Sequence, residues 1–211
     1  MLRTPRARAR GLGKTFISPE IMISKRPAEA ADRAVPGHWE GDLILGLGSS
    51  AIGTLVERMT RFTLLLHLPR MRNHGYEARV KNGPALAGHG AEAVCDAITR
   101  TIITLPEQLR RSLTWDQGAE MAQHARLKID AGIQVYFCDP HSPWQRGTNE
   151  NTNRLLRQYL HKNADLGSFT QDHLDSVAAK LNHRPRRVLG WTTPAEAFGT
   201  AQPRPMPLTP A

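Results

Sequence analysis

Cysteine, acidic charge and long apolar runs are all scarce in this sequence. Cys95 and Cys138 are its only cysteines among 211 residues, far apart in the chain, which excludes a disulfide-stapled scaffold and fits a reducing cytoplasm. No Cys-x-x-Cys pair occurs, and the nine histidines lack zinc-module spacing with those cysteines, so a zinc finger is excluded as well. The longest aliphatic run, Leu64-Leu65-Leu66, falls far short of the ~20 residues that span a bilayer. The start, Met1-Leu2-Arg3, leads into Arg6, Arg8 and Arg10 with no apolar segment behind it, unlike a secretory signal.

Acidic residues are outnumbered, 19 Asp+Glu against 28 Lys+Arg, for a formal charge of +9. An excess of this kind favours a polyanionic partner, nucleic acid or an anionic surface. Hydrophobic residues at 40% are enough to bury a core, so one globular domain with tails is expected.

Residues 1–33 carry eight Lys/Arg, three Asp/Glu and prolines at 5, 19 and 27, with little periodic pattern; they read as an extended basic arm or linker. Residues 201–211, with four prolines, read as a flexible tail. Between these, 34–200 is the expected core. Runs at 38–46, 53–59 and 61–68 read as three strands joined by tight turns. A basic, Gly/His-rich stretch at 70–90 reads as a long loop. Val94, Ile98, Thr101, Ile102 and Leu105 recur at helical spacing before Pro106. A fourth strand is expected at 111–115, a helix at 119–131, a fifth strand at 133–138, and helices at 146–161 and 171–183, the last with a stripe of Leu174, Val177, Ala178 and Leu181. This order predicts an α/β fold, a five-stranded mixed sheet with helices on both faces.

Two glycine-rich words are decoys. Gly11-Leu12-Gly13-Lys14-Thr15 ends like a phosphate-binding loop, but Arg8 stands where its first glycine belongs and no strand precedes it. Gly46-Leu47-Gly48-Ser49-Ser50-Ala51 is followed by a strand pattern, so a hairpin turn is expected there rather than a dinucleotide site.

In so basic a chain the informative carboxylates are those set where a core would rather have none. Asp42 lies inside a strand, on one face with His38 and Glu40 and opposite Trp39, Leu43 and Leu45. Asp116 lies at the end of the fourth strand, where ligands of open α/β sheets gather. Glu150 lies on the helix after Ser142-Pro143-Trp144. At about 100° per residue, Asn153, Arg154, Arg157 and His161 share its face to within about 60°, while Thr152, Leu155, Leu156 and Tyr159 lie opposite. Such a face suits a helix that holds a metal at one point and follows a phosphodiester backbone along the rest. Singly, each acid has an ordinary explanation: Glu150 paired with Arg154, Asp116 capping a turn, Asp42 neutralised by an arginine. Glu40, Glu120 and Asp139 are expected to be structural. Trp144 is expected to pack against the start of its helix, with base stacking as the alternative. Cys95 and Cys138 are expected in the core.

Asp42, Asp116 and Glu150, with 73 and 33 residues between them, resemble the Asp-Asp-Glu triad of ribonuclease-H-like transposases and integrases. The words around them are similar to insertion-sequence family thirty: Gly37-His38-Trp39-Glu40-Gly41-Asp42-Leu43-Ile44, Thr114-Trp115-Asp116-Gln117-Gly118, Ser142 through Asn153, and Leu181-Asn182-His183-Arg184-Pro185 onward to Pro194. The resemblance covers roughly residues 25–198.

That resemblance implies a ribonuclease-H-like integrase core that cuts and joins DNA with two divalent metals, Mg2+ with Mn2+ able to substitute, held by Asp42, Asp116 and Glu150. No small-molecule cofactor or membrane is implied. The expected partners are element ends and target DNA, with a homodimer or higher assembly on DNA, in the cytoplasm at the nucleoid. Arg146, Asn149, Asn153, Arg154 and Arg157 are the expected DNA contacts near the metals, and Lys162, Arg184, Arg186 and Arg187 the contacts to flanking phosphates. Family members carry an N-terminal helix-turn-helix region, and no pair of helices is expected before residue 38. The chain therefore reads as a catalytic core with a shortened front, and the competing expectation is a non-catalytic DNA-binding or regulatory remnant.

Overall fold

The computed structural model describes residues 17–47, 50–68 and 90–202. The expected loop at 70–90 lies, apart from its last residue, outside the described residues, as do most of the expected basic arm and of the Pro-rich tail. Five strands form one mixed sheet in the order β3-β2-β1-β4-β5: β1 His38–Leu45, β2 Ala51–Glu57, β3 Thr63–His67, β4 Ser112–Trp115 and β5 Gln134–Phe137. The first three pair antiparallel, and β4 joins β1, and β5 joins β4, in parallel. The antiparallel part follows from short connections. Gly46 N–H donates to Ser50 O (2.7 Å), closing the expected turn between β1 and β2.

The helices are α1 Ala28–Asp32, α2 Ala91–Ile102, α3 His124–Ala131, α4 Gly147–Leu156, α5 Gln171–Asn182 and α6 Pro194–Ala201. They cover both sheet faces, as expected of an α/β fold, because alternation along each strand produces two apolar surfaces. Trp39, Leu55, Leu113, Trp115, Val135 and Phe137 form one core with α2 and α3. Ile44, Ile52 and Leu65 form the other with Leu156 of α4 and the α5 stripe, all four of whose residues are buried. Among the described residues no helix is long and apolar enough to cross a membrane.

Three expectations need correction. The part of the basic arm that is described, 17–33, is folded rather than extended. Two short 3-10 turns, Pro19–Ile21 and Ile23–Lys25, precede α1; Met22 bridges to Phe137 in parallel, and Ile17, Ile21 and Met22 pack on the first core. The segment covers the open edge of β5, which would otherwise expose unpaired backbone. Arg26 accordingly turns inward and donates to Thr114 Oγ1 (2.9 Å).

The helix expected at 119–131 is also divided: a 3-10 turn at Ala119–Met121 comes first, and α3 begins at His124. The helix expected at 146–161 ends at Leu156, where the backbone tightens, with Gln158 and Tyr159 N–H donating to Leu155 and Leu156 carbonyls (3.1 and 2.9 Å).

Besides α1, a second helix was not expected. α6 opens with a capping box: Thr193 Oγ1 accepts from Glu196 N–H (3.2 Å), and Glu196 Oε2 accepts from Thr193 N–H (2.9 Å), with Pro194 at the first helical position. Its Phe198 stacks on Phe62 (centroids 4.2 Å apart) and meets the edge of Trp39 (6.0 Å). The signal was the word Thr-Pro-x-Glu.

Candidate active site

The register of the parallel pair builds the site. His38, Trp39 and Glu40 pair with Ser112, Leu113 and Thr114, an offset of 74 residues, and the same offset separates Asp42 from Asp116. Continued past the last ladder pair, the register sets Asp42, inside β1, beside Asp116, just past the end of β4. Gly41 makes the close packing there possible, since a Cβ at this residue would lie 2.1 Å from a carbon of the Trp115 ring. Trp115 in turn donates from Nε1 to Glu120 Oε1 (3.2 Å).

Arg146 joins the pair. Its Nη1 lies 3.0 Å from Asp42 Oδ1 and its Nη2 3.2 Å from Asp116 Oδ2, and Nη1 also donates to Gly41 O (3.2 Å). The side chain is only 7% exposed. Burial acts to weaken the guanidinium's hold on its proton, but Asp42 and then Asp116 outweigh it, and the Arg146 pKa lies above its ordinary value. Arg146 is thus a fixed cation between two acids, where a DNA contact was expected.

Beneath the pair, α4 is bolted to the sheet. Glu40 Oε2 accepts from Asn149 N–H (2.9 Å), Asn149 Nδ2 donates to Glu40 O (2.9 Å), and Thr54 Oγ1 donates to Asn149 Oδ1 (3.0 Å). Glu40 is also paired with Arg58, whose Nε donates to Ala30 O (2.7 Å). A carboxylate against the first turn of a helix suits the exposed N–H groups there. Asn149 is fully buried, so it too leaves the set of expected DNA contacts: its amide is spent on the sheet. Glu40 plays the structural part expected of it.

Asn153, one turn on from Asn149, donates from Nδ2 to Asp42 Oδ2 (3.2 Å), and its Oδ1 is buried without a partner. This contact turns the α4 face that Glu150 shares with Asn153 toward Asp42. Glu150 itself is exposed and does not pair with Arg154, which donates instead to Asn151 Oδ1 (2.7 Å). Among the described residues no three His, Cys, Asp or Glu side chains stand close enough together to hold one ion. The oxygen donors of Asp42 and Asp116, already sharing a cation, have the hard-ligand chemistry that divalent magnesium or manganese requires. Glu150 is on the adjoining face but is not gathered in.

The remaining expected DNA contacts lie outward. Arg154, Lys162, Arg184 and Arg187 are exposed. Arg157 is half-buried and donates to Leu45 O (3.0 Å), and Arg186 is half-buried near the end of α5. Trp144 is 72% exposed and does not pack against the start of α4 as expected. Cys95 and Cys138 are buried, and burial pushes the Cys138 thiol up to about 11, so it stays protonated and unreactive. Sequence reasoning missed Arg146 as the bridge and Asn149 as the anchor, although both lie in the word Arg146-Gly147-Thr148-Asn149-Glu150.

A five-stranded mixed sheet of this order, with one aspartate inside its central strand, a second just past the adjacent parallel strand and a third carboxylate on a following helix, is the ribonuclease-H-like architecture of polynucleotidyl transferases. The sequence model of the Integrase core domain matches residues 32–143, which include Asp42 and Asp116, and the chain belongs to that family.

Its relatives are transposases. It is 47% identical over 200 residues to the transposase for insertion sequence element IS1086 of Cupriavidus metallidurans, covering 94% of this chain and 54% of the relative. It is 45% identical over 174 residues to the transposase InsI for insertion sequence element IS30C of Escherichia coli, covering 82% and 41%. A transposase for IS4351 of Bacteroides fragilis is 32% identical over 90% of this chain and 53% of its own. The chain spans about half the length of these curated relatives. Among solved structures, a chain of a simian T-cell lymphotropic virus intasome in complex with a PP2A regulatory subunit is similar in fold, with a TM-score of 0.55 at 16% identity, covering 84% of this chain and 59% of that one.

Proposed function

We propose that this chain is the catalytic core of a DNA transposase, cutting and joining DNA strands at Asp42, Asp116 and Glu150 with two bound magnesium ions, which manganese can replace. The observation that carries this reading is the register match of Asp42 with Asp116, joined by one cation. A phosphodiester repels nucleophiles by its own charge and has a poor leaving group, and two hard cations about 4 Å apart activate the attacking oxygen and stabilise the departing one.

The chain's own residues have separate tasks. Asp42 inside β1 and Asp116 just past β4 offer oxygen ligands from the rigid sheet; Glu150 supplies the third from α4, whose orientation Asn149 and Asn153 set. Asn153, Arg154 and Arg157 would meet the strand near the metals, and Lys162, Arg184, Arg186 and Arg187 its flanking phosphates. Element ends and target DNA are the proposed partners, in a homodimer or higher assembly in the cytoplasm at the nucleoid, with 34–200 as the core.

The experiment is incubation of the purified chain with supercoiled plasmid carrying candidate element ends, plus magnesium or manganese, beside Glu150→Gln. Metal-dependent nicking lost in the variant is the expected result. Plasmid retained in a gel shift but nicked by neither protein would overturn the catalytic reading in favour of a DNA-binding remnant.

A further inference from the structure

A second polar site lies around the first turn of α4, on a different side from the carboxylate pair. Arg146 turns to Asp42 and Asp116, whereas the next residues, Gly147 and Thr148, line a cavity of about 220 Å³ with Arg33, Arg61, Asn151 and Arg186. Three guanidinium groups converge there, and no carboxylate is among the lining residues. The two sites share no lining residue.

Two features set this cavity apart from a chance gathering of surface cations. Arg33 and Arg61 both hold left-handed backbone conformations, with φ of 55° and 64°, which a side chain disfavours and glycine would adopt freely. They are two of the four non-glycine residues that do so among the described residues. Arg33 is the left-handed C-cap of α1 and Arg61 closes the turn between β2 and β3, so both are fixed at the ends of elements.

The second feature is unmet hydrogen-bonding capacity. The Nε atoms of Arg61 and Arg186 are buried with no partner. Burial, and then repulsion from Arg33, lowers the Arg61 pKa; burial, and then Arg184, lowers that of Arg186. Glu40 and Glu57 offset this for Arg61 only in part, and both are bound elsewhere: Glu40 by Arg58 and Asn149, Glu57 by Gly37 N–H (3.1 Å) and Thr60. Arg61 Nη1 donates to Thr148 Oγ1 (2.6 Å), which leaves the Thr148 hydroxyl proton to be given elsewhere. Asn151 Oδ1 accepts from Arg154, leaving its amide N–H groups to donate. Donors and positive charge therefore face one open-sided cavity, and the complementary ligand is an oxyanion.

We propose that the Arg33–Arg61–Arg186 cavity seats a backbone phosphate of the DNA strand bound across α4, apart from the Asp42–Asp116 pair. This rests on the reading of the chain as a DNA-cutting core. It adds Arg33 and Arg61 to the DNA contacts and gives Arg186 a defined ligand. Its role is to fix the strand's path over α4, with the half-buried Arg61 and Arg186 beside the exposed Arg33.

The test is fluorescence anisotropy of labelled single-stranded and duplex DNA with the full chain in EDTA, across a salt series, for Arg33→Gln, Arg186→Gln and the pair. Arg100→Gln, exposed on the last turn of α2, is the control. Arg33 makes no hydrogen bond or ion pair with another described residue, so Arg33→Gln keeps the fold and carries the test even if Arg186→Gln loosens the chain. Each pocket variant is expected to weaken binding several-fold and to reduce the slope of log K against log salt by about 1, with Arg100→Gln unchanged.

Pocket variants that bind DNA as the control does would overturn the inference while leaving plasmid nicking, and the catalytic reading, intact. A wild-type chain that binds no DNA would overturn both. In a parallel arm, inorganic phosphate raising the melting temperature of wild type but not of Arg33→Gln, with DNA affinity equal in the two, would identify a free-phosphate site and overturn the DNA assignment.

Discussion

Asp42 on β1 and Asp116 just past the end of β4 are both held by the single guanidinium of Arg146, at 3.0 and 3.2 Å. Two carboxylates brought together in this way repel each other unless a cation lies between them. In the structure that cation belongs to the chain. Any metal arriving at the pair competes with it.

Arg146→Gln removes the internal competitor. The variant's melting temperature without metal is expected to fall, since Asp42 and Asp116 lose their shared partner; both are partly exposed, at 30% and 52%, so solvent screening keeps the loss to about 1 kcal/mol. Added magnesium or manganese is then expected to raise the melting temperature more than in wild type. Equal metal-induced shifts in thermal unfolding would show that Arg146 and metal do not share the site.

Asn149→Ala cuts the bolt between α4 and the sheet. It leaves Glu40 and the Thr54 carbonyl with buried, unmet hydrogen-bonding capacity, and a loss of about 2–3 kcal/mol in urea unfolding is expected. Nicking should fall as well, because Glu150 is the next residue and its placement depends on this anchor. Full activity together with reduced stability would separate the anchor from the catalytic geometry.

At Gly41 the prediction is steric. A Cβ would sit 2.1 Å from the Trp115 ring, and that indole is fully buried and cannot simply swing aside. Gly41→Ala is expected to cost about 1–3 kcal/mol or more and to disturb the neighbouring Asp42. A variant as stable as wild type by chemical denaturation would show that the sheet relaxes more readily than its packing suggests.

His38 links stability to pH. Its ring is bound to Ser112 Oγ (Nδ1, 2.7 Å) and Glu29 (Nε2, 3.2 Å). Burial lowers its pKa below the ordinary 6.5, against the pull of Glu29. The unfolded chain therefore takes up a proton at higher pH than the folded one, so this contribution is fully present above pH 6.5 and is lost as pH falls toward the folded pKa. Melting temperatures measured from pH 7.5 to 5 should decline, and His38→Gln should flatten that decline. An unchanged slope would assign the pH dependence to other groups.

Much of the fold was legible because strand alternation and helical stripes report burial directly. Val94 and Ile98, and Leu174 through Leu181, face the core where their spacing put them. The folding of 17–33 was not legible, since its apolar residues have no period and are ordered only by the edge of β5. α6 was missed although its capping box is a local signal, because attention to periodicity passes over a helix of eight residues. At the site, Asp42 and Asp116 could be found from strand position, but the roles of Arg146 and Asn149 could not. Both stand beside Glu150 in the chain, and only burial shows that one faces the acids and the other the sheet.

The order of the five strands and of the helices between and after them up to α5, the strand positions of two acids and the polar face of α4 were determined by the sequence alone, because periodicity and local stops are encoded within a few residues. The tertiary structure decided which of those groups meet. A register offset of 74 residues, a guanidinium between two carboxylates and three arginines around one cavity are long-range relationships. They arise when separate elements dock, and no local pattern carries them.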